Sequence, residues 1–123
     1  MQTFTKAERL TSKIAIENLY QSKKSVQSPP FRINWIVAPQ SDIPVQVIIS
    51  VPKRLFKKAV DRNKLKRLTR EAYRKNKNIL YQGINTKNIF LMFIYTDKKT
   101  SDYDTIEKAI LGAFAKICNN INS

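Results

Sequence analysis

Hydrophobic and polar positions change their period several times along the chain, and each change marks an element. From Phe31 to Ala38 they alternate, with Phe31, Ile33, Trp35 and Val37 on one face and Arg32, Asn34 and Ile36 on the other, as in a strand with one core face. Turn-forming residues from Pro39 to Pro44 follow, and then Val45, Val47, Ile49 and Val51 alternate with Gln46, Ile48 and Ser50. Two such runs in succession predict an antiparallel hairpin. Asn88 to Tyr95 is apolar on both faces through Ile89, Phe90, Leu91, Met92, Phe93 and Ile94, which suits an interior strand. Ser22 to Gln27 is a short candidate for the sheet edge.

Helical spacing governs the rest. Thr5-Lys6-Ala7-Glu8 has the form of a capping box and Ser12 that of a second N-cap, before a segment carrying Ile16, Leu19 and Tyr20. A helix to about Gln21 is predicted, and Ser28-Pro29-Pro30 breaks the backbone before the strand at Phe31. Near the C-terminus, Ser101, Asp102 and Asp104 suit the positive end of a helix whose Tyr103, Ile106, Ala109, Ile110, Ala113, Phe114, Ile117 and Ile121 form one apolar stripe. Cys118 falls among them as a small buried hydrophobe. A central helix places Leu65, Leu68, Ala72 and Ile79 along one stripe and Arg62, Asn63, Lys66, Arg67, Arg70 and Arg74 roughly opposite. The order is therefore α-β-β-(β)-α-β-α. It predicts an α+β fold, a two-layer sandwich of a three- or four-stranded mixed sheet with helices, as one domain over residues 1–123.

Charge decides which kind of partner such a domain meets. The chain holds 23 Lys and Arg against 9 Asp and Glu, a net charge of +14. Residues 53–77 alone hold 12 basic side chains with only Asp61 and Glu71 as acids, so one element supplies +10 of that total. A solvated helix would interleave acids for i, i+4 pairing, and this face has essentially none. A polyanion is the expected partner, and the arginine forks with Asn63 beside them fit a phosphate backbone. An anionic membrane fits less well, because the apolar stripe is narrow, lacks Trp and Phe, and is needed for the sheet. With no His and one Cys, His-based triads, zinc constellations and an internal disulfide framework are excluded. Asp102, Asp104 and Glu107 form the one tight acidic cluster and read as helix capping, not as a two-metal nuclease centre. Charges within the first 20 residues argue against a secretory signal, and the apolar runs are too short to span a bilayer, so the expected compartment is the cytoplasm, with no membrane contact.

The segment Lys58-Ala59-Val60-Asp61-Arg62-Asn63-Lys64-Leu65-Lys66-Arg67-Leu68-Thr69-Arg70-Glu71-Ala72-Tyr73-Arg74 closely resembles the signature region of the bacterial ribonuclease P protein component. Similarity extends to Phe4-Thr5-Lys6-Ala7-Glu8-Arg9-Leu10, to Pro30-Phe31-Arg32 and to Ile49-Ser50-Val51-Pro52-Lys53, and weakens after Tyr81. The resemblance implies the protein subunit of the endoribonuclease ribonuclease P, a ribonucleoprotein that removes the 5′ leader of precursor tRNA with its active site in the RNA. Mg2+ would serve that RNA site, no cofactor would be held by protein side chains alone, and the partners would be the catalytic RNA and precursor tRNA, with no protein partner required. The catalytic RNA would be bound by Lys53, Lys58, Arg62, Asn63, Lys64, Lys66, Arg67, Arg70 and Arg74. A leader cleft between the N-terminal helix and a sheet face would hold Ile16, Tyr20, Arg32, Asn34, Ile36 and Ser50. The sequence departs from the family pattern at Lys64 for Arg, at Ile16 and Asn34 for aromatic residues, at Ile48 for Gly and at Pro52 for Ser. The resemblance further implies a ribosomal-protein-like topology with a left-handed βαβ crossover, against the right-handed rule. The other reading of the same charge and size is a ribosomal or translation-type RNA-binding protein without a processing role.

Overall fold

The computed structural model describes residues 4–85 and 87–122. After a 3-10 turn at Lys6–Glu8, the elements are α1 (Lys13–Tyr20), β1 (Ser25–Ser28), β2 (Phe31–Val37), β3 (Val45–Ser50), α2 (Ala59–Ile84), β4 (Ile89–Tyr95) and α3 (Tyr103–Asn122). The described residues thus hold a four-stranded sheet, in the order β1-β2-β4-β3, and three α-helices. The predicted N-terminal helix is two pieces. Thr5 and Glu8 close their capping box on the 3-10 turn, and the Ser12 hydroxyl accepts from the Ala15 N–H to start α1 separately.

The expected hairpin of β2 and β3 does not form. β4 inserts between them, antiparallel to β2 and parallel to β3. Each of the two outer neighbours offers one apolar face, whereas β4 is apolar on both and gains most from the central place. β3 and β4 are then parallel neighbours joined through α2, the βαβ connection that the resemblance implies. The weak edge strand is real and is β1, paired with β2 over Ser25 to Ser28.

One sheet face carries Phe31, Ile33, Trp35, Val45, Val47, Leu91, Phe93 and Tyr95, all buried under α2 and α3. Val37, expected on that face, lies at the strand end and is 57% exposed. The α3 stripe is as predicted, with Ile106, Ala109, Ile110, Ala113, Phe114, Ile117 and Ile121 buried, and Asp102 capping the Thr105 N–H at 2.9 Å. Cys118 is only half-buried, against α2 at Gly83, where an added Cβ would run into its Sγ. Gly83 is what lets the two helices approach there.

The buried side of α2 is turned from the predicted stripe by roughly 85° at 100° per residue. It consists of Leu65, Thr69, Ala72, Tyr73, Lys77, Leu80 and Ile84, while Leu68 is half-buried and Ile79 is 55% exposed. Counting only aliphatic residues passed over Tyr73, whose ring meets Phe4, Phe93 and Phe114 edge to face. Leu80→Ala is therefore expected to cost about 2 to 5 kcal/mol and Ile79→Ala under about 1 kcal/mol in chemical denaturation. Equal losses would return Ile79 to the core.

The second sheet face carries a smaller cluster of Leu10, Ala15, Leu19, Met92 and Ile94, with Ile16, Ile36, Ile48 and Phe90 against it. α1 covers the middle of this face. The N-terminal segment is anchored twice: the Leu10 N–H donates to the Val47 carbonyl at 2.9 Å beside β3, and Glu8, buried beneath it, binds Lys77 and Tyr81 of α2. No helix among the described residues is long and apolar enough to cross a membrane.

Candidate RNA interface

Register on the second face sets out three rows across the sheet. Arg32 and Ser50 flank Ile94, Asn34 and Ile48 flank Met92, and Ile36 and Gln46 flank Phe90. α1 lies over the middle row, held by the Asn34 amide, which donates to the Leu19 carbonyl at 2.9 Å. Its N-terminal half overhangs the third row and leaves a cleft of about 500 Å³, walled by Leu10, Ser12, Ile14 and Asn18 above and by Ile36, Val37, Gln46 and Phe90 below.

Of the six residues expected in such a cleft, Ile36 lines it directly. Ile16 is half-buried against the second-face cluster, and Tyr20 stands 54% exposed at the far end of α1. Arg32 and Ser50 occupy the first row, beyond the helix. Asn34 is 2% exposed and spends its amide on fixing α1, so its role here is to set the roof over the sheet. The residues that sequence reasoning missed are Phe90, Val37, Gln46 and Ile14, the last 74% exposed at the rim. Phe90 supplies an aromatic surface where Ile16 and Asn34 offer none. Its signal was present in the period of β4, which puts Phe90 opposite Leu91 and Phe93, but only the strand order assigns that face to the cleft.

On α2 the basic face divides by what each cation already does. Asn63, Lys64 and Arg67 are exposed, and with Val60 and Arg70 they line an open groove of about 480 Å³ that contains no carboxylate. Lys66 is half-exposed on the flank, and Lys53 and Lys58 are exposed on the turn that leads into the helix. Arg62 faces back: its Nη1 donates to the Phe56 carbonyl at 2.8 Å and the Lys57 carbonyl at 2.9 Å, fixing that turn. Arg74 pairs with Glu71. At the start of α3, the Thr105 hydroxyl and N–H hold the Asp102 carboxyl below its usual range, and Glu107 accepts from Asn76 and Tyr103, so both acids serve helix ends and helix packing.

A family profile described as Ribonuclease P matches residues 4–118. The ribonuclease P protein component of Porphyromonas gingivalis is 30% identical over 122 residues, covering 97% of this chain and 89% of that protein. That of Thermotoga maritima is 28% identical over 116 residues, covering 94% and 97%. Among solved structures, the Staphylococcus aureus RNase P protein superposes with a TM-score of 0.70 at 25% identity, covering 91% of this chain and 96% of that one. The Thermotoga maritima RNase P protein gives 0.68 at 25% identity, covering 89% and 96%. Signature, sheet order and these likenesses agree, and the chain belongs to the ribonuclease P protein family.

Proposed function

We propose that the chain binds the catalytic RNA of ribonuclease P through the outer face of α2 and takes the 5′ leader of precursor tRNA into the cleft beneath α1, promoting leader removal. The observation that carries this reading is the acid-free groove of Asn63, Lys64, Arg67 and Arg70, set on the same domain as a separate, largely apolar cleft. Clustered cations without carboxylates suit a phosphate backbone, while an apolar cleft with an aromatic floor suits unstacked bases. The bond cleaved and the Mg2+ it needs belong to the RNA in this reading. Lys53, Lys58 and Lys66 extend the positive field of the groove. Arg62 acts through the turn it holds, and Arg74 adds charge at the far end.

Reconstitution with a cognate ribonuclease P RNA tests the whole: precursor tRNA should be cleaved at low magnesium by the two together and not by the protein alone. Equal binding of ribosomal RNA without any stimulation of cleavage would overturn it. The cleft has its own test. Phe90→Ala should lower affinity for precursor tRNA by about 1 to 3 kcal/mol, the range for one stacked base, and leave mature tRNA unaffected. Phe90→Leu keeps the apolar contact and should lose most of the same affinity. An unchanged ratio of precursor to mature affinity in the folded Leu variant would remove Phe90 from the leader path.

A further inference from the structure

Between the groove on α2 and the cleft under α1 lies a third, smaller depression of about 140 Å³. Its walls are Phe4, Arg9, Leu10 and Thr11 from the N-terminal segment, Val47 to Ile49 from β3, and Arg70 from α2. Arg70 also lines the α2 groove, and Leu10 and Thr11 also line the cleft, so the three depressions are contiguous. Arg9 and Arg70 thus both line one small space that no carboxylate lines. The acids nearest in sequence are engaged elsewhere: Glu8 by Lys77 and Tyr81, Glu71 by Arg74.

Like charges brought together on a folded surface repel. Arg9 is held, since its backbone pairs beside Val47 and its guanidinium lies 5.8 Å from the Phe4 ring centroid. Arg70 is held by its helix and half-buried. Burial and the nearby Arg9 charge together pull the Arg70 guanidinium below its usual pKa, the response of a cation that lacks its counter-ion. A single anion between the two would relieve both, with forked donors on either side.

We propose that Arg9 and Arg70 together grip one backbone phosphate of an RNA strand that passes from the outer face of α2 to the cleft beneath α1. The proposal rests on the RNA-binding reading above and adds to it a path: the two RNA surfaces are joined by a phosphate-sized step. The strand at that step belongs either to the catalytic RNA or to the leader, and the phosphodiester chemistry is the same.

A double-mutant cycle tests it, with Arg9→Gln, Arg70→Gln and the pair, in holoenzyme reconstituted with the cognate RNA and precursor tRNAs carrying leaders of two and of ten nucleotides. Each single variant should weaken RNA binding five- to tenfold and lower the salt slope by about one, while the pair should lose little more than either alone, because one phosphate is shared. A loss seen already with the catalytic RNA alone assigns the phosphate to that RNA. A loss confined to the longer leader assigns it to the substrate. Simple addition of the two losses, or an unchanged salt slope for Arg9→Gln, overturns the shared phosphate even where parent protein binds and processes normally. Failure of the parent to bind either RNA would instead overturn the function proposed above. If Arg9→Gln melts early, Arg9→Lys carries the test: it keeps the charge and loses the fork, so it should keep the slope, weaken binding two- to threefold, and weaken it no further beside Arg70→Gln, and a loss that persists in full there overturns the proposal equally.

Discussion

Lys77→Met is expected to destabilise the fold by about 3 to 5 kcal/mol at neutral pH, because it strips the counter-ion from a buried carboxylate. Glu8 is 6% exposed, and Lys77 Nζ donates to its two oxygens at 3.0 and 2.9 Å, with the Tyr81 hydroxyl at 2.8 Å and the Thr5 N–H at 3.1 Å. Burial pushes the Glu8 carboxyl up, but these donors outweigh it and hold the group below its usual value of 4.5. In the parent, the contribution of the pair is therefore complete above that unfolded value and is lost as pH falls through the lower folded one. Without Lys77, burial has the larger part, the folded Glu8 prefers its proton, and the variant is penalised at high pH and relieved in acid. Urea unfolding at pH 7 and pH 4 should show the gap between parent and variant narrowing at the lower pH. The double variant Glu8→Leu with Lys77→Met should recover much of the loss, since no buried charge is left unpaired. A gap that is the same at both pH values would mean that Lys77 acts by packing alone.

The largest functional effect should come from the α2 groove. Replacing Lys64, Arg67 and Arg70 together by Gln removes three of its cations, and affinity for the catalytic RNA should fall by about two to three orders of magnitude at low salt. The log-log salt slope should become shallower by roughly 2 to 3, since each lost phosphate contact returns about 0.7 to 0.9. Melting should hardly move, because surface charges contribute little to stability. Arg62→Gln should behave in the opposite way, melting early for its size of RNA effect, since its donors hold the turn at Phe56 and Lys57. Filter binding across a salt series, beside thermal melts, separates the two. If the triple variant unfolds while Arg62→Gln does not, the outward face has been assigned to the wrong residues.

Local signals in the sequence carried far, and they failed where long-range competition decides. The capping box at Thr5, the cap at Ser12, the alternation of β2 and β3 and the α3 stripe were legible because each is set by residues within a turn or two of one another. The place of β4 was not. Its two-sided hydrophobicity pointed to an interior position, but nothing local to Val45–Ser50 says that a strand 40 residues later will take the neighbour that a hairpin would have supplied. The same gap hid the cleft floor, since Phe90 and Gln46 share a row only after β4 is placed. On α2 the charge pattern was legible and the phase was not. Thr69 and Tyr73 stand outside the aliphatic stripe, yet both are buried, and with them turns the side on which Arg62 sits. Asn34 is the instructive case: it lies on the sheet face that α1 covers, but it is buried there and its amide is committed to the protein's own backbone.

The strip of chain around Arg9 has a further consequence. Alongside Val47, and with the Gln46 amide donating to the Ala7 carbonyl, it screens the outer side of β3. At the opposite border β1 is only four residues long, and its Ser28 hydroxyl and Gln27 carbonyl are bonded to α3 through Ala109 and Lys116. Neither border offers the long unpaired ladder of amides and carbonyls that invites another copy to add a strand. At a net charge of +14 such a domain would crowd onto any polyanion it bound, and the covered borders leave little for one copy to extend the sheet of another there; Arg9 and its neighbours, which wall the small depression, are part of that cover.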